Sequence, residues 1–142
     1  MDTGYLLINT SKNLKYFLNK RLLSKNVTIQ QWAVIQQVNL KRECTAAEIA
    51  SNLNMDKTTI SGILSRIELK GLLKKRNDPT DQRVKVISLS LLGKTIVREC
   101  ESISKSVVNN YLSELTQSEK KNFKLSIKKK LKNEVITWIQ YL

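Results

Sequence analysis

A single proline and four glycines punctuate 142 residues, and that scarcity constrains the fold more than any other feature. Sheet-rich chains need turn formers at short intervals, so a chain with only Gly4, Gly62, Gly71, Gly93 and Pro79 is expected to run in long helices. Turn formers gather in one place, Asn77-Asp78-Pro79-Thr80-Asp81. On one side, residues 72–76 are short and half-polar; on the other, Val84, Val86 and Ser88 alternate with Lys85, Ile87 and Leu89. This region reads as a two-stranded hairpin with a protruding loop, a wing.

The helix boundaries are written in capping residues. Thr28 with Gln31, Thr45 with Glu48 and Thr116 with Glu119 have the spacing at which two side chains reciprocally satisfy the orphan N–H groups of a helix start. Behind Thr28, Trp32, Ile35 and Val38 recur at helical spacing; behind Thr45, Ala46, Ile49, Ala50 and Leu53 do so over a shorter span. Asn54-Met55-Asp56 is a tight connection, Asp56 is suited to cap the next segment, and Gly71 is placed to end it. Between them Ile60, Ile63, Leu64 and Ile67 follow the i, i+3, i+4, i+7 rule. Ser90 can cap a fifth helix carrying Ile96, Cys100, Ile103, Val107 and Tyr111. Thr116 opens a sixth carrying Phe123, Ile127, Leu131, Val135, Trp138 and Leu142, and a first carries Leu7, Leu14, Phe17 and Leu18. The fold expected is mainly α with a small β-hairpin wing: a winged helix-turn-helix lobe at 28–90 flanked by long helices at 1–27 and 91–142, all in one domain.

Charge narrows the partners. Twenty-five Lys and Arg against 12 Asp and Glu give +13, which favours polyanions but does not choose among nucleic acid, an anionic membrane and an acidic protein. No apolar stretch approaches the roughly 20 residues that cross a bilayer, no secretory signal is legible at the start, and no Lys-rich segment carries a strongly apolar, aromatic face for a membrane surface. A cytoplasmic location is expected. With no His in the chain, a structural zinc site and His-based activation of a nucleophile both lack their parts. The glycines stand singly, so no phosphate-cradling loop is present, and Glu99 and Glu101 lie two apart on a helix and point in different directions. No enzyme and no cofactor are expected. Cys44 and Cys100 are expected to be reduced and buried.

The helix at 57–70 carries the function. Its buried face leaves Lys57, Thr58, Thr59, Ser61, Ser65 and Arg66 on the other side. Hydroxyls can donate to phosphates or bond either kind of base edge, and Arg can pair bidentately with guanine. Thr45, at the start of the preceding helix, joins this DNA-facing set, and the wing adds Lys74, Lys75, Arg76, Arg83 and Lys85. Between residues 57 and 85 there are eight Lys or Arg against three acids. A solvated amphipathic helix also shows a polar outer face; the helix, the capped helix before it and the basic wing together favour insertion into the major groove.

Thr45-Ala-Ala-Glu-Ile-Ala-Ser-Asn-Leu-Asn-Met-Asp-Lys-Thr-Thr-Ile and Lys70-Gly-Leu-Leu-Lys-Lys-Arg-Asn-Asp-Pro-Thr-Asp-Gln-Arg closely resemble the multiple antibiotic resistance regulator (MarR) family of bacterial repressors and activators. Val86-Ile-Ser-Leu-Ser-Leu-Leu-Gly93 resembles the family's strand-to-helix passage and Gln31-Trp32 its second helix; the flanks match in helix pattern alone. The resemblance implies a homodimer whose first, fifth and sixth helices interlock, two winged lobes on a roughly palindromic duplex, and a pocket for a small aromatic or phenolic effector. It also implies that Asp81 and Arg83 are the wing Asp-x-Arg, with Arg83 entering the minor groove and Asp81 orienting it; a plain structural ion pair would use the same two residues. Many members carry Arg or another long side chain where this chain has Gly62. Of the aromatic residues that could line a pocket, Tyr5, Tyr16, Phe17 and Trp32, none is assigned to it. The family's oxidant-sensing Cys of the first helix has no counterpart here, and Cys100 beside Arg98 would be reactive only if exposed.

The expected function is a DNA-binding transcriptional regulator, of repressor type, whose occupancy a small molecule changes. The competing reading, a helical adaptor or anti-repressor module for an acidic protein, draws on Lys120, Lys121, Lys124, Lys128, Lys129, Lys130 and Lys132, which lie outside the winged lobe and could equally be a solvated face.

Overall fold

The computed structural model describes residues 1–141, with side chains to Leu131; Val135, Trp138 and Leu142, expected on the last helix, lie outside the described side chains. In chain order the elements are α1 (Thr3–Leu22), a short 3-10 turn (Leu23–Lys25), α2 (Ile29–Lys41), α3 (Ala46–Leu53), α4 (Lys57–Leu69), β1 (Leu73–Asn77), β2 (Lys85–Leu89), α5 (Leu91–Tyr111) and α6 (Gln117–Tyr141). Two compact units, Met1–Val107 and Val108–Leu142, partition the chain.

Each expected helix start is capped, reciprocally at Thr28 and Thr116 and from one side only at Thr45. Gln31 N donates to Thr28 Oγ1 at 3.1 Å and Thr28 N donates to Gln31 Oε1 at 3.2 Å; Thr116 and Glu119 make the same reciprocal pair at 3.2 and 3.0 Å. At Thr45 the hydroxyl accepts from Glu48 N at 3.2 Å. Asp56 caps α4 by accepting from Thr59 N at 2.8 Å. The end of α4 is a Schellman motif: Gly71 sits at φ +75°, its N–H donates to Glu68 O at 2.9 Å, and Leu72 N–H donates to Ile67 O at 3.4 Å. Only Gly takes that φ without strain.

The core of the first unit forms where α2, α3 and α4 converge. Trp32, Val34, Ile35 and Val38 of α2, Ile49 and Ala50 of α3, and Ile60, Ile63, Leu64 and Ile67 of α4 are buried, joined by Leu72, Leu73, Ile87 and Leu89 from the wing base and by Val97 and Cys100 of α5. β1 and β2 pair antiparallel from Leu73↔Leu89 to Asn77↔Lys85. The inward residues of β2 are Ile87 and Leu89, while Val86 and Ser88 are half-buried. Cys44 adds a third rung that periodicity does not show: its N–H donates to Ile87 O at 3.0 Å and its carbonyl accepts from Ile87 N at 2.7 Å.

Ser90 starts α5, as its position implies, with Gly93 N donating to its hydroxyl at 3.0 Å, and it also ties α5 to the wing base. Its N–H donates to Leu72 O at 3.0 Å and its hydroxyl to Gly71 O at 2.6 Å. The first turn of α5 lies so close to that carbonyl that a Cβ on Gly93 would stand 2.2 Å from Leu72 O.

The first helix departs from a simple core role. Leu22 is buried and Leu14 and Leu18 are half-buried, but Tyr5, Leu6, Leu7, Ile8, Tyr16 and Phe17 face solvent in the single chain. Among the described residues no helix is long and apolar enough to cross a membrane.

Candidate nucleic-acid interface

The outward face of α4 is built by its own periodicity. Burial of Ile60, Ile63, Leu64 and Ile67 leaves Lys57, Thr58, Thr59, Ser61, Gly62, Ser65 and Arg66 exposed. Gly62 falls close to the centre of that face, one turn from Thr58 and one from Arg66. A Cβ there would meet nothing within 4 Å, so no neighbour in this chain requires the glycine. Its cost relative to Ala, about 1 kcal/mol in a helix interior, has no intramolecular return.

Two of the hydroxyls expected to face DNA are also structural. The Thr59 hydroxyl donates to Asp56 Oδ2 at 2.8 Å, and Thr45 spends a lone pair on its cap. The Thr59 N–H, followed by its hydroxyl, holds the Asp56 carboxyl below its ordinary value, because both bonds favour the ionised form. Thr58, Ser61 and Ser65 project from the same face without a capping duty.

The wing presents its cations in three settings. Lys75 pairs with Glu68 of α4 at 2.8 Å and Arg76 with Glu43 at 2.9 Å, while Lys85 hydrogen-bonds Asn77 across the hairpin. These residues are therefore held by neighbours, and their charge is partly balanced locally. Arg83 stands differently. Its side chain is 92% exposed, yet it is steered by one carboxylate: Asp81 Oδ1 accepts from Arg83 N at 3.0 Å and from Nε at 3.2 Å. The loop beneath is bonded to itself. Thr80 donates its N–H and hydroxyl to Asp78 Oδ1 at 2.8 and 2.7 Å, and these bonds, the hydroxyl's first, hold the Asp78 carboxyl low. Asp78 N donates to Val84 O and Val84 N to Asp81 O, each at 3.0 Å.

Sequence reasoning overlooked what anchors α4 at its far end. Lys70 Nζ donates to Gln31 Oε1 at 2.8 Å and to the Asn26 carbonyl, joining the end of α4 to the start of α2. A basic residue in a last helical turn is legible as a C-terminal feature, but its partner 39 positions away leaves no local signal. Beside this joint, Asn19, Thr28, Ile29, Gln30, Gln31, Ile63 and Arg66 line an open cleft of about 510 Å³. None of Tyr5, Tyr16, Phe17 and Trp32 is in that lining. Among the described residues no cluster of three or more His, Cys, Asp or Glu could hold a metal ion. Cys44 and Cys100 are free and buried. Burial, then Glu48, raises the Cys44 thiol, and burial, then Glu99, raises that of Cys100.

A capped helix, a three-residue turn, a second helix with a polar outer face and an antiparallel hairpin with a cationic tip define a winged helix-turn-helix protein. The model of the MarR family matches residues 27–85, the stretch that holds this lobe. It is 23% identical over 118 residues to the HTH-type transcriptional regulator BilQ of Clostridioides difficile (strain CD3), covering 83% of this chain and 80% of that one. It is 28% identical over 118 residues to the HTH-type transcriptional regulator MgrA of Staphylococcus aureus, covering 82% and 79%. Its fold superposes with a TM-score of 0.78 on a mutant MarR from E. coli crystallised with operator DNA, at 22% identity over 90% of this chain and 92% of that one.

Proposed function

We propose that this protein is a homodimeric transcriptional regulator of repressor type that reads a roughly palindromic duplex, with α4 in the major groove and the wing in the minor groove. The observation that carries the reading is Arg83, an almost fully exposed guanidinium held in one direction by Asp81 at the tip of a loop. That is the arrangement needed to place a cation in the negative potential of a narrow minor groove. The reading gives Lys57, Thr58, Ser61, Ser65 and Arg66 the major-groove contacts, and Thr45, Thr59, Lys75, Arg76 and Lys85 contacts to backbone phosphates. BilQ and MgrA are named as transcriptional regulators, and a MarR of the same fold has been crystallised on its operator.

The apolar residues exposed along α1, and Phe123, Leu125, Ile127 and Leu131 exposed on α6, support self-association, since monomers rarely leave such surface in water. The cleft beside Lys70 is the candidate effector site. Among the described residues Arg66 is the one cation in its lining, so a small phenolic or aromatic anion bound there would draw on a side chain of the DNA-facing helix. The proposed site of action is the cytoplasm.

Titration of the protein against random-sequence duplex over a range of salt, with its mass in solution measured in parallel, tests the reading. A dimer whose affinity falls steeply with salt, by a slope of about −0.9 per phosphate neutralised, supports it. Salt-insensitive, negligible DNA binding by a monomer contradicts it and favours the adaptor reading drawn from the α6 lysines.

A further inference from the structure

We infer that Gly62 is a specificity-determining residue, its missing side chain forming the seat for a thymine methyl group on the floor of the major groove. The inference rests on the DNA-binding reading above and deepens it. Gly62 lies in the second turn of α4 on its exposed side, between Thr58 and Arg66 on one row and beside Ser65 on the next. A glycine in mid-helix weakens the helix, and such a residue persists where something must approach the backbone closely. Inside this chain nothing does, because an added Cβ would meet open space. The surface that can approach is therefore external, and α4 is the helix whose outer face the proposed interface presents to the groove.

The chemistry of the occupant follows from what Gly62 lacks. It offers the groove no side-chain donor or acceptor, so the base opposite cannot be read there by a side-chain hydrogen bond. Of the groups on the major-groove edges, the thymine C5 methyl is the one that projects and needs apolar contact. A gap the size of one methyl on the helix complements one methyl on the base. Thr58, Ser65 and Arg66, around the gap, keep the hydrogen-bonding readout of the adjacent bases.

Gly62→Ala puts a methyl group into the gap without touching any residue of the protein. Three measurements on wild type and variant test the assignment: thermal unfolding, selection from a random duplex pool, and affinity for the selected duplex with each thymine replaced in turn by uracil, which lacks the methyl. The expected results are a Tm a few degrees higher for the variant and a thymine in each wild-type half-site whose replacement by uracil weakens binding. The variant is expected to lose affinity for that site on the order of tenfold, to accept cytosine at that position, and to keep its salt slope. Identical consensus and affinity for the two proteins, or indifference to uracil at every thymine, overturns the role of Gly62 while leaving DNA binding intact. Failure of the wild type to enrich any duplex overturns the DNA-binding reading and the inference together.

Discussion

Arg83 and Asp81 form an ion pair at the wing tip, with Nε 3.2 Å from Oδ1 and the guanidinium side chain 92% exposed. An exposed pair of this kind contributes little to stability, so the geometry has its use elsewhere: a long, rotamer-rich side chain is held pointing one way before any partner arrives.

Arg83→Ala is therefore expected to leave the unfolding transition unchanged and to weaken binding to every duplex by about 1–3 kcal/mol, the range of a good Arg contact. Asp81→Ala should lose less, because the cation remains and only its orientation is relaxed. Fluorescence anisotropy with labelled duplexes, alongside thermal melts, checks both. Equal affinity of Arg83→Ala and wild type for all duplexes would remove the wing from the interface.

Gly93→Ala should do to stability the opposite of Gly62→Ala. The new Cβ would stand 2.2 Å from the Leu72 carbonyl oxygen and 3.3 Å from a Leu89 methyl, and the Leu72 backbone leaves little room to give. A loss of about 3 kcal/mol or more is expected, at the upper end for overpacking, with the Ser90 bonds to Leu72 and Gly71 weakened first. Chemical denaturation of the variant measures it.

Lys70→Met should leave the buried Gln31 Oε1 with only its Thr28 N–H donor and the Asn26 carbonyl without the lysine, a loss of about 1 kcal/mol. Because the bond joins α4 to the start of α2, hydrogen exchange should rise at the α2 N-terminus as well as at the end of α4. Protection lost at α4 alone would show that the two helices are not tied through this lysine.

Acid should weaken the protein at two helix starts and in the wing loop. The folded-state carboxyls of Asp56, Asp78 and Glu119 lie below their ordinary values, each held there first by a bond from a threonine backbone N–H or hydroxyl. A depressed folded value means the contribution is fully present above the unfolded value, about 4, and is lost as pH falls from there through the folded value. Asp56→Asn should flatten part of that fall, as followed by helix signal against pH at fixed denaturant.

The caps explain why so much was legible in the sequence. Asp56, Gly71, Ser90 and the three Thr-led starts act on near neighbours in the chain, so their spacing, with the apolar periodicity between them, placed α2 through α6. The rung from Cys44 to Ile87 and the bond from Lys70 to Gln31 span the chain and exist only once the core closes; no local pattern encodes them. The strand faces fell between these limits: alternation in 84–89 was plain, but Ile87 and Leu89 turn inward because Leu73 and the α2–α4 core lie on that side. At the interface the residue types on α4 were readable, whereas the engagement of Thr59, Lys75 and Arg76 by Asp56, Glu68 and Glu43 required the fold.

The most direct test of the account is a hydroxyl-radical footprint of the protein on the duplex it selects from a random pool. The account predicts two protected half-sites centred about one helical turn apart, with protection at the flanking minor groove disappearing for Arg83→Ala while the major-groove contacts of α4 persist. Uniform protection without half-sites, or no enriched duplex at all, would contradict it.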